Sequence, residues 1–263
     1  MRIYLDLEAG PPPMTNAEKH ALLVGKNLPK EPAQPTLKRI ARNISREETI
    51  RAHAAANQAD YEQACADYDG LRTQWLADCE EAAEQAWRNL AKNPDLAVIN
   101  TIGWAYEGDV YQHSGPDSGV LLVEFALKLP DYAHSIEWVT ANGNHYDLPL
   151  LHRSVCRLLH AAMTDANWGK SAPATAKVLR KLRDAIPWTL SRGGSSRSID
   201  VMGRGMPRRG RSFGAICEAY LGEGKQGSED PVGDWLDPSR RGLLLERNRR
   251  DVELLMMLDE VTS

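Results

Sequence analysis

Asp6 and Glu8 stand two residues apart in the segment RIYLDLE (2–8), whose residues alternate in character as those of a strand do. In a strand, residues i and i+2 project from one face, so both carboxylates point the same way. Two adjacent carboxylates repel, and one holds its proton more tightly unless a cation neutralises the pair. Hard oxygen donors of this kind suit Mg²⁺ or Mn²⁺. A DxE pair by itself also arises by chance in most proteins of this size. A third acid, Asp147, lies in TANGNHYDLPLL (140–151), where a buried strand gives way to a helix. Ligands of open α/β sheets gather at strand ends, so Asp147 can meet Asp6 and Glu8. An aspartate that only caps the helix is the other reading. A fourth acid, Asp251, sits in ERNRRDVELL (246–255), bordering an apolar stripe at positions 244, 245, 252, 255, 256 and 258. The plainer reading there is an exposed aspartate paired with Arg247 one turn back.

The elements that must carry these acids follow from pattern and punctuation. The first strand stops at Gly10-Pro11-Pro12-Pro13, and residues 14–35, with Pro29, Pro32 and Pro35, read as a connection with little regular structure. From 45 to 92 the composition turns to Ala, Glu, Gln, Arg and Asp, with Gly70 alone and no proline. Ser45-Arg46-Glu47-Glu48 has capping-box spacing, which predicts one or two long helices, anchored by Tyr61, Tyr68, Trp75 and Trp87 and ended by Asn93-Pro94. LAVINTIGWAY (96–106) predicts a central strand, and Gly108-Asp109 a turn into a second strand, VYQHS. Helices are predicted over 118–129, 147–163, 212–222 (closed by Gly222) and 241–261. A buried strand falls at 135–141, and a short strand or bridge at 198–202. No internal repeat is visible. This order describes an α/β fold with a mixed sheet.

Composition bounds the function. The chain has 263 residues, 36 acidic and 32 basic, for a net charge of −4. A hydrophobic fraction of 42% with 26% charged residues is that of a globular protein, which excludes a wholly disordered chain. No apolar run approaches membrane-spanning length, and the segment MRIYLDLE is not expected to act as a signal peptide. Cys65, Cys79, Cys156 and Cys217 form no CxxC pair, so reduced thiols in a cytoplasmic protein are expected, not a disulfide framework or a zinc site. The charge is polarised along the chain. Ten Lys/Arg lie between 177 and 211 against Asp184 and Asp200, whereas 60–84 holds eight acids against Arg72. A basic stripe of this kind can neutralise phosphates; it can equally be a solvated face.

Taken together, DxE, then N-G-x-x-Y-D-L-P-L-L at a strand-to-helix junction, then x-D-V-E-L in a C-terminal helix, resemble the DEDD-type 3′–5′ exonucleases. The nearest branch is that of free-standing phage exonucleases similar to the proofreading domain of family B DNA polymerases. Trp87-Arg88…Asn93-Pro94-Asp95…Ile99…Ile102-Gly103-Trp104-Ala105, Ser198-Ile199-Asp200-Val201-Met202 and Phe213…Leu221-Gly222…Lys225 extend the resemblance over about 1–10 and 87–260. It implies a ribonuclease H-like domain (1–10 and 87–263) with a mixed five-stranded sheet flanked by helices. Residues 11–86 then form a proline-rich connection and helical insertion.

By the same resemblance, Asp6, Glu8, Asp147 and Asp251 are the catalytic and metal-binding residues of a hydrolase holding two Mg²⁺ or Mn²⁺ ions. Asp6, Glu8 and Asp251 hold one ion, and Asp6 with Asp147 the other. Asn142, Tyr146, Arg208, Arg209, Arg211 and Arg247 are the expected substrate-binding residues. The expected partner is a single-stranded 3′ end, DNA in preference to RNA, with a polymerase or replication protein in trans and no membrane. One position departs from the pattern. The family places a tyrosine four residues before its last aspartate, or a histidine five before, to position the attacking water; here Arg247 and Glu246 stand there. Either Glu246 or His145 does that work, or the enzyme is slow. Otherwise the chain is a binding module that keeps the fold without cutting.

Overall fold

The structure, a computed structural model, describes residues 1–26, 30–38, 47–129, 136–141, 143–164, 172–187, 198–203, 212–225 and 230–263. Its compact units are residues 1–12 with 88–263, and residues 13–87.

The larger unit is built on a five-stranded sheet. β1 (Arg2–Gly10) alternates as its sequence requires: Ile3, Leu5 and Leu7 enter one core, while Tyr4 packs into another on the opposite face. β2 (Val98–Tyr106) runs antiparallel to β1, and β3 (Asp109–Ser114) antiparallel to β2 through the tight Glu107-Gly108 turn, where both residues have positive φ. β4 (Glu137–Thr140) lies parallel to β1, and β5 (Ser198–Asp200) parallel to β4. The strand order is β3-β2-β1-β4-β5, a mixed open sheet.

Helices cover both faces. α3 (Ser118–Lys128), α4 (Asp147–Thr164) and α5 (Ala172–Ala185) contribute Phe125, Leu151 and Leu179 to the larger core, with Trp138 of β4 at its centre. The Trp138 indole N–H is satisfied by the Ala185 carbonyl at 2.8 Å, so the ring is buried without an orphan donor. On the other face, α6 (Phe213–Leu221) and α8 (Arg241–Thr262) bury Ile216, Cys217, Leu254, Leu255 and Leu258 against Tyr4 and Val139. α7 (Pro231–Leu236) starts at an Asp230 cap with Pro at its first turn. The last helix is fastened to the first strand: Asp259, fully buried, accepts from Arg2 Nη1 at 2.8 Å and Tyr4 Oη at 3.0 Å.

The smaller unit corrects one expectation. Within 14–35, α1 (Asn16–Ala21) forms because Thr15 and Glu18 cap each other reciprocally and close its first turn. α2 (Glu47–Arg88) is one helix of 42 residues. Its mostly exposed length is supported by i,i+4 pairs, Gln58–Glu62, Gln63–Asp67 and Gln74–Asp78 among them. Ser45 and Arg46 of the expected capping box lie outside the described residues. Leu23, Ala83 and Ala86 form the small core of this unit, and Lys19 Nζ lies 3.6 Å over the Trp87 ring. Among the described residues no helix is long and apolar enough to cross a membrane.

Candidate metal centre

Asp6 and Glu8 leave β1 on the face that α8 covers. Asp6 stands directly across from Gly103 of β2, and Glu8 across from Thr101. A Cβ at Gly103 would lie 2.3 Å from Asn248 Oδ1 and 3.0 Å from Val252 Cγ2, so the missing side chain is what lets α8 close down on the sheet here. The β1–β2 register shifts between Glu8 and Ala9, a local irregularity of the kind that re-aims side chains beside sites.

The inward stripe of α8 is Leu244, Asn248, Asp251, Val252, Leu255, Leu258 and Asp259, at helical spacing and all fully buried. Asp251 is therefore not an exposed surface aspartate. Two of its neighbours in that stripe, Leu244 and Leu255, are apolar, and helical periodicity carries the carboxylate inward with them. Carboxylate oxygens of Asp6, Glu8 and Asp251 lie within 4.8 Å of one another.

Two cations meet this cluster. Lys225, three residues past the left-handed Gly222 that caps α6, contacts Asp251 Oδ2 through Nζ. Arg247 Nε lies 3.5 Å from Glu8 Oε1 and 3.8 Å from Asp251 Oδ2. Asp6 Oδ2 accepts a hydrogen bond from Asn248 Nδ2 at 2.7 Å. Burial dominates the electrostatics. It raises Asp6, against the opposing pull of Lys225, the Asn248 hydrogen bond and Arg247. Burial and the charge of Asp6 push Glu8 up to about 8 and Asp251 up to about 6, although Lys225 and Arg247 oppose both shifts.

Asp147, the first residue of α4, is buried at 6% exposure. It stands outside the Asp6–Glu8–Asp251 triplet but faces the same field: burial, then the charges of Asp6 and Glu8, hold its carboxyl well above the usual range. The turn that delivers it is tight at Gly143, where a Cβ would fall 2.1 Å from Thr140 Oγ1. Tyr146, half-buried, donates its hydroxyl to the Ala91 carbonyl, so that group ties α4 to the 3₁₀ turn Asn89–Lys92. Glu246 and His145 are both exposed; Arg247, not Glu246, is the residue of that pair turned toward the carboxylates. Asn142, Arg208, Arg209 and Arg211 lie outside the described residues. Lys225, Asn248 and Thr101 join the site although sequence reasoning does not mark them as site residues. Asn248 carries a signal, as a polar residue at a core position three before Asp251, and Lys225 stands in one of the motifs that extend the resemblance.

These residues fit a hard divalent cation. The clustered donors are carboxylate oxygens, with no thiol or imidazole among them. Among the described residues, Asp251 Oδ1 and the hydroxyl of Thr101, cross-strand neighbour of Glu8, are buried without a hydrogen bond. Buried polar atoms left so are costly unless a ligand, ion or water completes them. Compared with protein-family models, with curated proteins and with solved structures, the chain matches none.

Proposed function

We propose that this protein is a divalent-metal-dependent 3′–5′ exonuclease of the DEDD type on a ribonuclease H-like fold, hydrolysing phosphodiester bonds at nucleic-acid 3′ ends, with DNA as the expected substrate. The observation that carries the reading is the convergence of Asp6, Glu8 and Asp251, from the first strand and the last helix, to within 4.8 Å, with Glu8 and Asp251 buried and Asp6 partly so. The β3-β2-β1-β4-β5 order supports the fold, and Asp147 at the start of α4 supplies the fourth acid. The free state of all four cysteines supports a cytoplasmic setting.

Asp6, Glu8 and Asp251 would hold one Mg²⁺ or Mn²⁺, and Asp6 with Asp147 a second. Such ions supply Lewis acidity for the attacking water and the leaving 3′ oxygen. The chain's own residues do the rest. Asn248 keeps the Asp6 carboxylate turned toward the cluster. Arg247 cannot accept a proton, since a guanidinium stays charged, but it can steady Glu8 and Asp251 and meet a substrate phosphate. The basic run 192–211 is the proposed phosphate track.

A second reading has its own observation. Lys225 and Arg247 already lie on the acids, and internal cations of this kind could replace metal in a module that binds nucleic acid or a protein partner without cutting. Degradation of a 3′-labelled single strand in Mg²⁺ or Mn²⁺ decides between them. The exonuclease reading expects shortening from the 3′ end, abolished by EDTA, by Asp6→Ala and by Asp147→Ala. Binding without degradation favours the module, and degradation that survives both substitutions rules out the two-metal scheme.

A further inference from the structure

We infer that Gln112 of β3 and Asn248 of α8 form a relay that positions Asp6 as a metal ligand. The inference rests on the metal-centre reading above. Asn248 is fully buried, and its Nδ2 donates both to Asp6 Oδ2, at 2.7 Å, and to the Asp6 main-chain carbonyl, at 3.2 Å. Gln112 Nε2 donates to Asn248 Oδ1 and to the Leu245 carbonyl, each at 2.8 Å. Carbonyl oxygens accept and never donate. The Leu245 carbonyl therefore fixes the amide of Gln112, which fixes that of Asn248, which must offer N–H to Asp6. Gly103 provides the room, because any larger residue would drive into Asn248 Oδ1.

The consequence for Asp6 is directional. One of its oxygens is taken by an amide N–H that suits the ionised carboxylate, which leaves the other for a cation. The Gln112 amide spends its donors on Asn248 and the Leu245 carbonyl, so it reaches Asp6 only through Asn248. Positioning groups behind a metal ligand typically contribute roughly 10- to 100-fold in metal affinity.

Gln112→Glu and Gln112→Lys test the relay because charge and hydrogen-bond polarity oppose each other in both. A glutamate adds negative charge near the cluster, which by charge alone tightens a cation; a lysine by charge alone weakens one. The relay demands the reverse. Glutamate presents an acceptor to Asn248 Oδ1, turns the Asn248 amide over and sets its oxygen against Asp6, whereas lysine still donates. Mn²⁺ affinity, read by calorimetry or by the electron paramagnetic resonance of free Mn²⁺, is expected to fall roughly 10- to 100-fold in Gln112→Glu and to stay within a few-fold in Gln112→Lys. Melting temperature and circular dichroism of the same samples report folding; if Gln112→Glu does not fold, Gln112→Met, which removes the donor without charge, is expected to weaken Mn²⁺ as well. Glutamate or methionine variants that bind Mn²⁺ as tightly as the wild type overturn the relay and leave the metal centre standing. Wild-type protein that binds no Mn²⁺ overturns both.

Discussion

Arg247 Nε lies 3.5 Å from Glu8 Oε1 and 3.8 Å from Asp251 Oδ2, so one guanidinium spans a carboxylate of the first strand and one of the last helix. The side chain is only 13% exposed, and a charge so placed holds the two acids against their mutual repulsion. Arg247→Tyr is therefore expected to lower turnover on a 3′-labelled strand, by about 10²-fold if the guanidinium also meets phosphate in the transition state. A gain in rate would show instead that Arg247 fills the place of a missing water-orienting phenol. Single-turnover rates in Mg²⁺ and Mn²⁺ distinguish the two.

Glu8 gives the centre a signature in pH. Its carboxyl titrates near 8 in the folded, metal-free protein against an ordinary 4.5. Between those values the native state binds more protons than the unfolded one, so stability is highest on the acid side and falls as pH rises. One such proton changes stability by about 1.4 kcal/mol per pH unit. In EDTA, thermal melts are expected to shift downward from pH 5 to pH 8. Asp6, Asp147 and Asp251 are raised as well, so Glu8→Gln, neutral throughout, should reduce that slope without abolishing it and melt above the wild type at pH 8 while losing Mn²⁺ binding. A metal competes with the same protons, so Mn²⁺ affinity should rise over this interval. A Glu8→Gln slope equal to that of the wild type in EDTA would remove Glu8 from the centre.

Gly103→Ala should damage packing and site together. Its Cβ would fall 2.3 Å from Asn248 Oδ1, and Asn248 has no slack because Gln112 and Asp6 hold both ends of its amide. Overpacking of this kind costs about 1–3 kcal/mol, which lowers the melting temperature by several degrees in a chain of this size. Mn²⁺ affinity is expected to fall with it. An unshifted melt would mean that α8 stands off from β2.

Arg208, Arg209 and Arg211 lie outside the described residues, and their role is tested through salt. If they line the substrate track, replacing all three with glutamine weakens single-strand binding. The log–log salt slope then flattens by about 0.7 for each phosphate that is no longer neutralised. An unchanged slope assigns them to an ordinary solvated surface.

Much of the frame is legible in the sequence because it rests on short-range rules. The 2–8 alternation, the apolar 96–106 run and the Gly222 stop each specify their element locally, and the α/β class with a mixed sheet follows from their order. Asp6 and Glu8 on one face need only the two-residue period of a strand. Asp251 is ambiguous in sequence because it borders its stripe, and only the docked helix decides that it is buried. The short helix at 16–21 is masked by the prolines around it, although Thr15 and Glu18 carry a capping signal of their own. Gln112 is marked by no local pattern, and although Gly103 and Lys225 stand in motifs of the resemblance, their place at the site depends on which elements touch.

Asp6 and Asn248 are 242 residues apart in sequence, yet one hydrogen bond joins them. Bringing such distant segments together carries a loop-closure cost that grows with the span, and non-local contacts slow folding. The acid cluster therefore cannot assemble before α8 is made: β1 presents Asp6 and Glu8, but Asp251 and the Asn248 that bonds to Asp6 belong to α8. The fastening of Asp259 to Arg2 and Tyr4 completes the same closure. On the proposed reading, a chain emerging beside nucleic acid on a ribosome carries no cutting centre until α8 has left the tunnel and docked.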